Sequence, residues 1–126
     1  MYLYGASGHA KVIIDILEAQ NVRVDGLVDD NPDINELQGY PVYHKTDVLS
    51  PVIVSIGINA TRKKIVEKLN ADFGTAIHPS AIVAKTVQIG EGSVVMHGAI
   101  IQTDACIGKH SIVNTGASVD HECQIG

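Results

Sequence analysis

The chain has 126 residues, 45% of them hydrophobic, a formal net charge of −5 and two cysteines. That length admits one or two small domains with a core, and the acidic balance argues against a general nucleic-acid binder, which needs a basic face. No apolar run approaches the length of a bilayer crossing and no signal-peptide pattern opens the chain, so no membrane insertion is expected and the protein is placed in the cytoplasm.

Residues 1–4 read as a short strand running into Gly5-Ala6-Ser7-Gly8-His9-Ala10, after which Val12, Ile13, Ile16 and Leu17 share one helical face. Residues 22–28 alternate as a second strand that stops at the turn cluster Asp29-Asp30-Asn31-Pro32. Residues 51–56 form an apolar third strand ending at Gly57. Asn59 is suited to cap a helix over residues 60–69, which turns Ile65, Val66 and Leu69 inward and carries Arg62, Lys63 and Lys64 near its start. Strand, helix, strand, strand and helix is the order of a parallel α/β sheet, so residues 1–76 are expected to form a small Rossmann-like domain of the nucleotide-binding kind.

The glycine turn is the first chemical signal. A strand passing through a tight turn into a helix N-terminus offers backbone N–H groups to a phosphate. Against G-x-G-x-x-G/A, Gly5 and Ala10 fit the ends but Ser7 holds the second glycine place, and a turn with no ligand is the alternative. Asp29 and Asp30 stand where an acidic residue would meet a ribose, although Asp at a turn also serves local hydrogen bonding. A domain of this size holds one mononucleotide half and not a dinucleotide.

From Ile77 the period becomes six. A branched aliphatic recurs at Ile77, Val83, Ile89, Val95, Ile101, Ile107, Val113, Val119 and Ile125, with a small residue four places after most of them, as at Ala81, Ser93, Ala99, Ala105, Ser111 and Ala117. Neither a helix nor plain strand alternation has this period, and the strands of a sandwich do not hold one register so long. Three hexads close one triangular coil and return the chain above itself at about 4.8 Å, with the aliphatics stacked inside the prism and the small residues at its corners. Cys106 and Cys123 occupy hexad places six and five, so no disulfide is expected. His97 and His121 both fall at the third place, at outward corners where a solvated histidine is the default. His121 differs because Asp120 and Glu122 flank it, and a carboxylate beside an imidazole suits it to general-base work.

Taken together, Gly5-Ala6-Ser7-Gly8-His9, the hexapeptide repeat, and Asn114-Thr115-Gly116-Ala117 followed by His121-Glu122 resemble the bacterial sugar acyltransferases of the PglD/NeuD type. The resemblance covers nearly the whole chain and is nearest to the branch that N-acetylates a UDP-linked 4-amino-4,6-dideoxy sugar. It implies an α/β N-terminal Rossmann-like sheet over residues 1–76 and an all-β left-handed parallel β-helix over residues 77–126. It also implies a homotrimer, a UDP-sugar on the α/β domain, and acetyl-CoA as co-substrate between neighbouring β-helices. Residue by residue, His121 matches the general base and Glu122 the carboxylate that tunes it, while Asn114 matches a position near the acceptor sugar. Ser7, Gly8 and His9 match the phosphate side of the glycine loop, Asp29 and Asp30 the uracil and ribose side, and Gly57, Ile58, Asn59 and Arg62 the border of the same pocket.

The implied reaction is direct acyl transfer with no metal, and no residue is set aside as a metal ligand. The last hexad stops at Gly126, so a truncated β-helix with an incomplete acetyl-CoA site is expected. Three other readings stand beside this one: O-acetylation of a sugar or sialic acid, a non-catalytic nucleotide-sugar-binding module, and a γ-type carbonic anhydrase. The last is disfavoured because His97 and His121 lie 24 residues apart, on different sides of the triangle.

Overall fold

The computed structural model describes residues 1–45 and 50–126. The N-terminal part comprises β1 (Tyr2–Tyr4), α1 (Gly8–Ala19), β2 (Gly26–Val28), β3 (Glu36–Leu37), β4 (Tyr40–Tyr43), β5 (Val52–Val54) and α2 (Asn59–Lys68). Its sheet runs β3-β4-β2-β1-β5, parallel throughout except for the antiparallel β3–β4 pair.

Strand alternation decides what each face buries. Leu3, Leu27 and Ile53 meet Ala10, Ile13, Ile14, Ile16 and Leu17 of α1 on one face, while Tyr4, Val28, Val52 and Val54 meet Ile65, Val66 and Leu69 on the α2 side. Ser7 gives α1 no side-chain cap, and no basic residue closes its last turn. Its hold on the sheet is therefore the apolar stripe, each large aliphatic contributing about 1.5–3 kcal/mol on burial.

Three local features differ from the sequence reading. The second strand is confined to Gly26–Val28, because β1 offers only Tyr2, Leu3 and Tyr4 as partners; Val24 is buried outside the ladder. The β3–β4 hairpin was not expected. It turns at Gln38 and Gly39, both at positive φ (52° and 85°), as a two-residue turn of the primed type requires. Finally, α2 begins at Asn59 itself, so Ile58, which has no side-chain acceptor, holds the cap position, and the Asn59 amide oxygen accepts from Arg62.

The C-terminal part is a three-walled parallel β-helix made of β6 (Ala76–Ile77), β7 (Ile82–Val83), β8 (Gln88–Ile89), β9 (Val94–Val95), β10 (Ile100–Ile101), β11 (Cys106–Ile107), β12 (Ile112–Val113), β13 (Ser118–Val119) and β14 (Gln124–Ile125). Every third strand pairs in parallel, giving walls β6-β9-β12, β7-β10-β13 and β8-β11-β14. Each pairing joins residues one coil apart, as in Ile82↔Ile100↔Ser118. The prism interior holds the expected column, Val95, Ile101, Ile107, Val113 and Val119, with Ala99 and Ala105 buried at the corners.

The two parts meet on the β6-β9-β12 wall. Ala76 and Val94 point outward into the cluster built on α1, while Ile77 and Val95, one residue later, point into the prism. The Ile77 N–H donates to Gln20 Oε1 at 3.3 Å, tying the end of α1 to the first coil.

Candidate functional site

The site residues proposed from sequence fall into four groups. The first surrounds the glycine turn. Gly5 has φ +119°, and a Cβ there would stand 2.9 Å from Ile56 Cγ1 and 3.1 Å from the Ser55 carbonyl, so only glycine lets β1 turn this close to β5. Ser55 Oγ donates to the Gly5 carbonyl at 2.6 Å, and Asp29 Oδ2 accepts the Ala6 N–H at 2.9 Å. Asp29 Oδ1 also accepts the Asn31 N–H at 2.9 Å, so this carboxylate braces the turn from both sides. A Cβ at Gly8 would meet nothing within 4 Å, which leaves open space above the uncapped start of α1. There the first-turn N–H groups have no intrahelical acceptor.

The second group lines a cleft of about 730 Å³ between α2 and the β-helix, where Gly57, Asn59, Arg62 and Asn114 come together with Lys109 and His110. Sequence reading takes Arg62 as a pocket-border residue near the start of α2; it lines this cleft and is buried there. Its guanidinium donates to the carbonyls of Ile56 (3.0 Å), Gly57 (3.3 Å) and His110 (3.0 Å) and to Asn59 Oδ1 (2.6 Å). Four of its five donors are thus spent joining α2, the loop after β5 and one corner of the β-helix. Ile58, by contrast, is 68% exposed and borders nothing in this cleft.

Asp30 stands apart, accepting the Tyr4 hydroxyl at 3.0 Å and lining a second cleft beside Lys68. The fourth group is His121 and Glu122, at the corner that follows β13. His121 Nδ1 lies 3.2 Å from Glu122 Oε1, and both side chains are largely exposed. Glu122 holds φ +61°, a conformation that favours glycine and costs a non-glycine residue about 1 kcal/mol. Its N–H donates to the Thr103 carbonyl one coil below at 3.0 Å. The same left-handed corner recurs at Gly92, Gly98, Asp104, His110 and Gly116, so what sets this corner apart is the carboxylate turned onto the adjacent imidazole. Asn114 follows β12, one corner earlier, so within a single chain it does not meet His121.

His97 was expected to face solvent. Instead its Nε2 lies 2.6 Å from Asp15 Oδ2 on α1, and its ring stacks on His78 at 3.9 Å. The signal for this was available in the register: residues 78 and 97 are one coil plus one residue apart, hence neighbours at the same corner.

Two histidines are pushed below their ordinary value of 6.5. His9 is lowered by burial and then by Arg62; His110 is lowered by burial, with Glu91 opposing and Arg62 and Lys109 reinforcing. Among the described residues His110 Nδ1 is buried without a hydrogen-bond partner, and its ring sits edge-on to Phe73 at 4.5 Å. Because the unfolded chain protonates these imidazoles at a higher pH than the folded one, stability is complete above about 6.5 and is lost as pH falls from there to the lowered folded values. The melting midpoint should fall between about pH 7 and about pH 5, above the range where most carboxylates titrate, and His110→Asn should flatten that fall. A midpoint that stays constant or rises on acidification would contradict it.

A small α/β sheet opening on a glycine turn and followed directly by a hexapeptide β-helix is the architecture shared with sugar acetyltransferases of the PglD type. The family of the PglD N-terminal domain matches residues 1–69, and the chain belongs to it. The UDP-N-acetylbacillosamine N-acetyltransferase of Bacillus subtilis (strain 168) is 39% identical over 111 residues, covering 75% of this chain and 50% of the relative. PerB from Caulobacter crescentus, solved with CoA and GDP-perosamine, is 39% identical with a TM-score of 0.89, covering 98% of this chain and 63% of PerB. The acetyltransferase domain of PglB from Neisseria gonorrhoeae FA1090, solved with acetyl coenzyme A, is 33% identical with a TM-score of 0.85, covering 98% of this chain and 65% of that domain. The chain thus spans about half of this curated relative and just under two thirds of the matched structures.

Proposed function

We propose that this protein is an acetyl-CoA-dependent amino-sugar N-acetyltransferase in which His121 is the general base and Glu122 orients it. The observation that carries this reading is the His121–Glu122 pair, 3.2 Å apart on an exposed corner. Nδ1–H donated to the carboxylate fixes the tautomer and leaves Nε2 free to accept a proton. The acceptor amine attacks the thioester carbon while His121 Nε2 takes its proton. The tetrahedral oxyanion rests on a backbone N–H, and collapse expels the CoA thiolate, which is then protonated. Holding both substrates in one cleft supplies much of the remaining acceleration.

The residues divide the work. In the proposed division, residues 1–76 form a Rossmann-like domain and residues 77–126 a left-handed β-helix. Ser7, Gly8 and His9 take the phosphates at the open start of α1, with His9 kept neutral by burial. Asp29 and Asp30 face the ribose and base, and Gly57, Asn59 and Asn114 flank the sugar. Arg62 shapes the cleft through its carbonyl contacts and leaves the phosphates to the helix start. His121 stands at the corner away from its own α/β sheet, which favours a homotrimer in which a neighbouring copy completes the site. Ile82 and Ile100, 66% and 39% exposed on the wall leading to that corner, offer the apolar surface for such a contact.

The donor reading is supported by relatives solved with CoA and acetyl coenzyme A. The nucleotide is the finer question, because one relative is named for a UDP-sugar and another holds GDP-perosamine. We favour a UDP-linked 4-amino-4,6-dideoxy sugar. Calorimetric titration with that sugar nucleotide, its GDP counterpart and free UDP tests the choice. Tight binding of the UDP-sugar and at least tenfold weaker binding of the GDP-sugar, about 1.4 kcal/mol, is expected; the reverse order would overturn the UDP assignment.

A further inference from the structure

The cluster of Asp15, His78 and His97 lies outside every group described for catalysis, at the joint between α1 and the first two coils of the β-helix. We propose that these three side chains form a binding site for a divalent transition-metal ion of the Zn²⁺ class, which staples the α/β sheet to the β-helix. One ligand atom from each residue lies within 4.8 Å of the other two, and among the described residues no other group of three or more histidine, cysteine, aspartate or glutamate side chains meets this condition. Two imidazoles and one carboxylate are the donor set of open, three-ligand zinc sites, with water completing the sphere. The Asp15 side chain is 66% exposed and that of His97 33%, which leaves solvent access for that water.

The three ligands come from distant parts of the chain and are brought together by the fold alone. The β-helix returns on itself every coil, which sets His97 beside His78. The packing of α1 on the β6-β9-β12 wall then presents Asp15 to the same corner. The His97 Nε2–Asp15 Oδ2 hydrogen bond at 2.6 Å already holds two of the three side chains together; an ion would take the place of the proton between them, which moves to His97 Nδ1 as the two atoms separate.

Ser80 supplies the outer shell. Its Oγ lies 2.7 Å from His78 Nδ1 and accepts the Gly98 N–H at 2.9 Å, while the Ser80 N–H donates to His78 Nδ1 at 3.0 Å. In that arrangement the neutral His78 carries its proton on Nε2. Coordination through Nε2 moves the proton to Nδ1, where Ser80 Oγ accepts it and the Ser80 N–H contact is given up. Orienting a ligating histidine through its other nitrogen is the usual second-shell role.

Metal bonds of about 2.0–2.1 Å place tetrahedral ligand atoms roughly 3.4 Å apart. The rings, now stacked with an interplanar angle of 25°, must swing out of parallel to aim both lone pairs at one ion. Rotation of partly exposed side chains by about 1 Å achieves this without moving the backbone. Such a site needs neutral imidazoles, so protons compete with the ion.

The test is calorimetric titration of the chelator-treated, dialysed protein with Zn²⁺, with Mg²⁺ as the comparison ion, at about pH 7.5. One Zn²⁺ per chain is expected and no Mg²⁺. His97→Ala and Asp15→Asn should abolish Zn²⁺ binding, and Ser80→Ala should weaken it about tenfold. His121→Ala, which removes the other outward corner histidine, should bind Zn²⁺ as the parent does. Far-UV circular dichroism without metal establishes that each variant is folded. A variant that is not folded is replaced by Co²⁺ titration of the parent, whose visible spectrum should be four-coordinate. Absence of Zn²⁺ binding by the parent, binding unchanged in folded His97→Ala, or binding lost in His121→Ala would each overturn the site.

Discussion

Replacing His121 with alanine is expected to lower the rate of acetyl transfer by about 10² to 10⁴, the usual contribution of a positioned general base. In the proposed mechanism His121 meets the amine proton only as the bond to the thioester carbon forms, so the loss should fall on kcat, with sugar-nucleotide and acetyl-CoA binding largely kept. Glu122→Gln tests the orienting role separately. It removes the carboxylate at 3.2 Å from Nδ1 but keeps a side chain in the same left-handed corner, so turnover should fall by less than in His121→Ala. Glu122→Gly should relieve the backbone strain at φ +61° and so raise stability slightly while still losing turnover. Steady-state kinetics with thiol detection, alongside a melting curve, reads both effects.

The second large effect is on stability. Arg62→Met keeps the apolar stem but strips the donors from the Ile56, Gly57 and His110 carbonyls and from Asn59 Oδ1. Leaving buried acceptors unpaired costs about 1–3 kcal/mol each when water cannot reach them, and the cleft admits water to some of these, so a total of about 3 kcal/mol is expected in urea unfolding. Arg62→Lys should recover little of it, because one ammonium cannot reach four acceptors that the flat guanidinium spans. A loss below about 0.5 kcal/mol, the range of ordinary surface substitutions, would show that this residue does not join the two parts.

The β-helix was legible because its signal is local and redundant: Ile77, Val95 and Val113 each repeat the same demand, and one period fixes every wall and corner. The α/β sheet was legible in its helices and in β1 and β5, where apolar stripes and the Gly5 turn coincide. The β3–β4 hairpin was harder, since two-residue strands leave no periodicity and only the turn at Gln38-Gly39 marks it. The burial of Arg62 was not legible, because it depends on the neighbouring β-helix corner, forty-eight residues away at His110. The same holds for His97, whose partner Asp15 lies eighty-two residues earlier. Sequence pattern carries what a residue does within its element; contacts between elements need the fold. His121 stood out because its carboxylate partner is the next residue.

Acetyl transfer to a sugar amine with His121 as base, as proposed, is read from the product formed when the purified protein is incubated with acetyl-CoA and the UDP-linked 4-amino-4,6-dideoxy sugar, by mass spectrometry and nuclear magnetic resonance. One acetyl group on the amine nitrogen is expected for each CoA thiol released, at a rate that collapses in His121→Ala. Acetyl on a hydroxyl, or an unchanged rate in a folded His121→Ala protein, would contradict it.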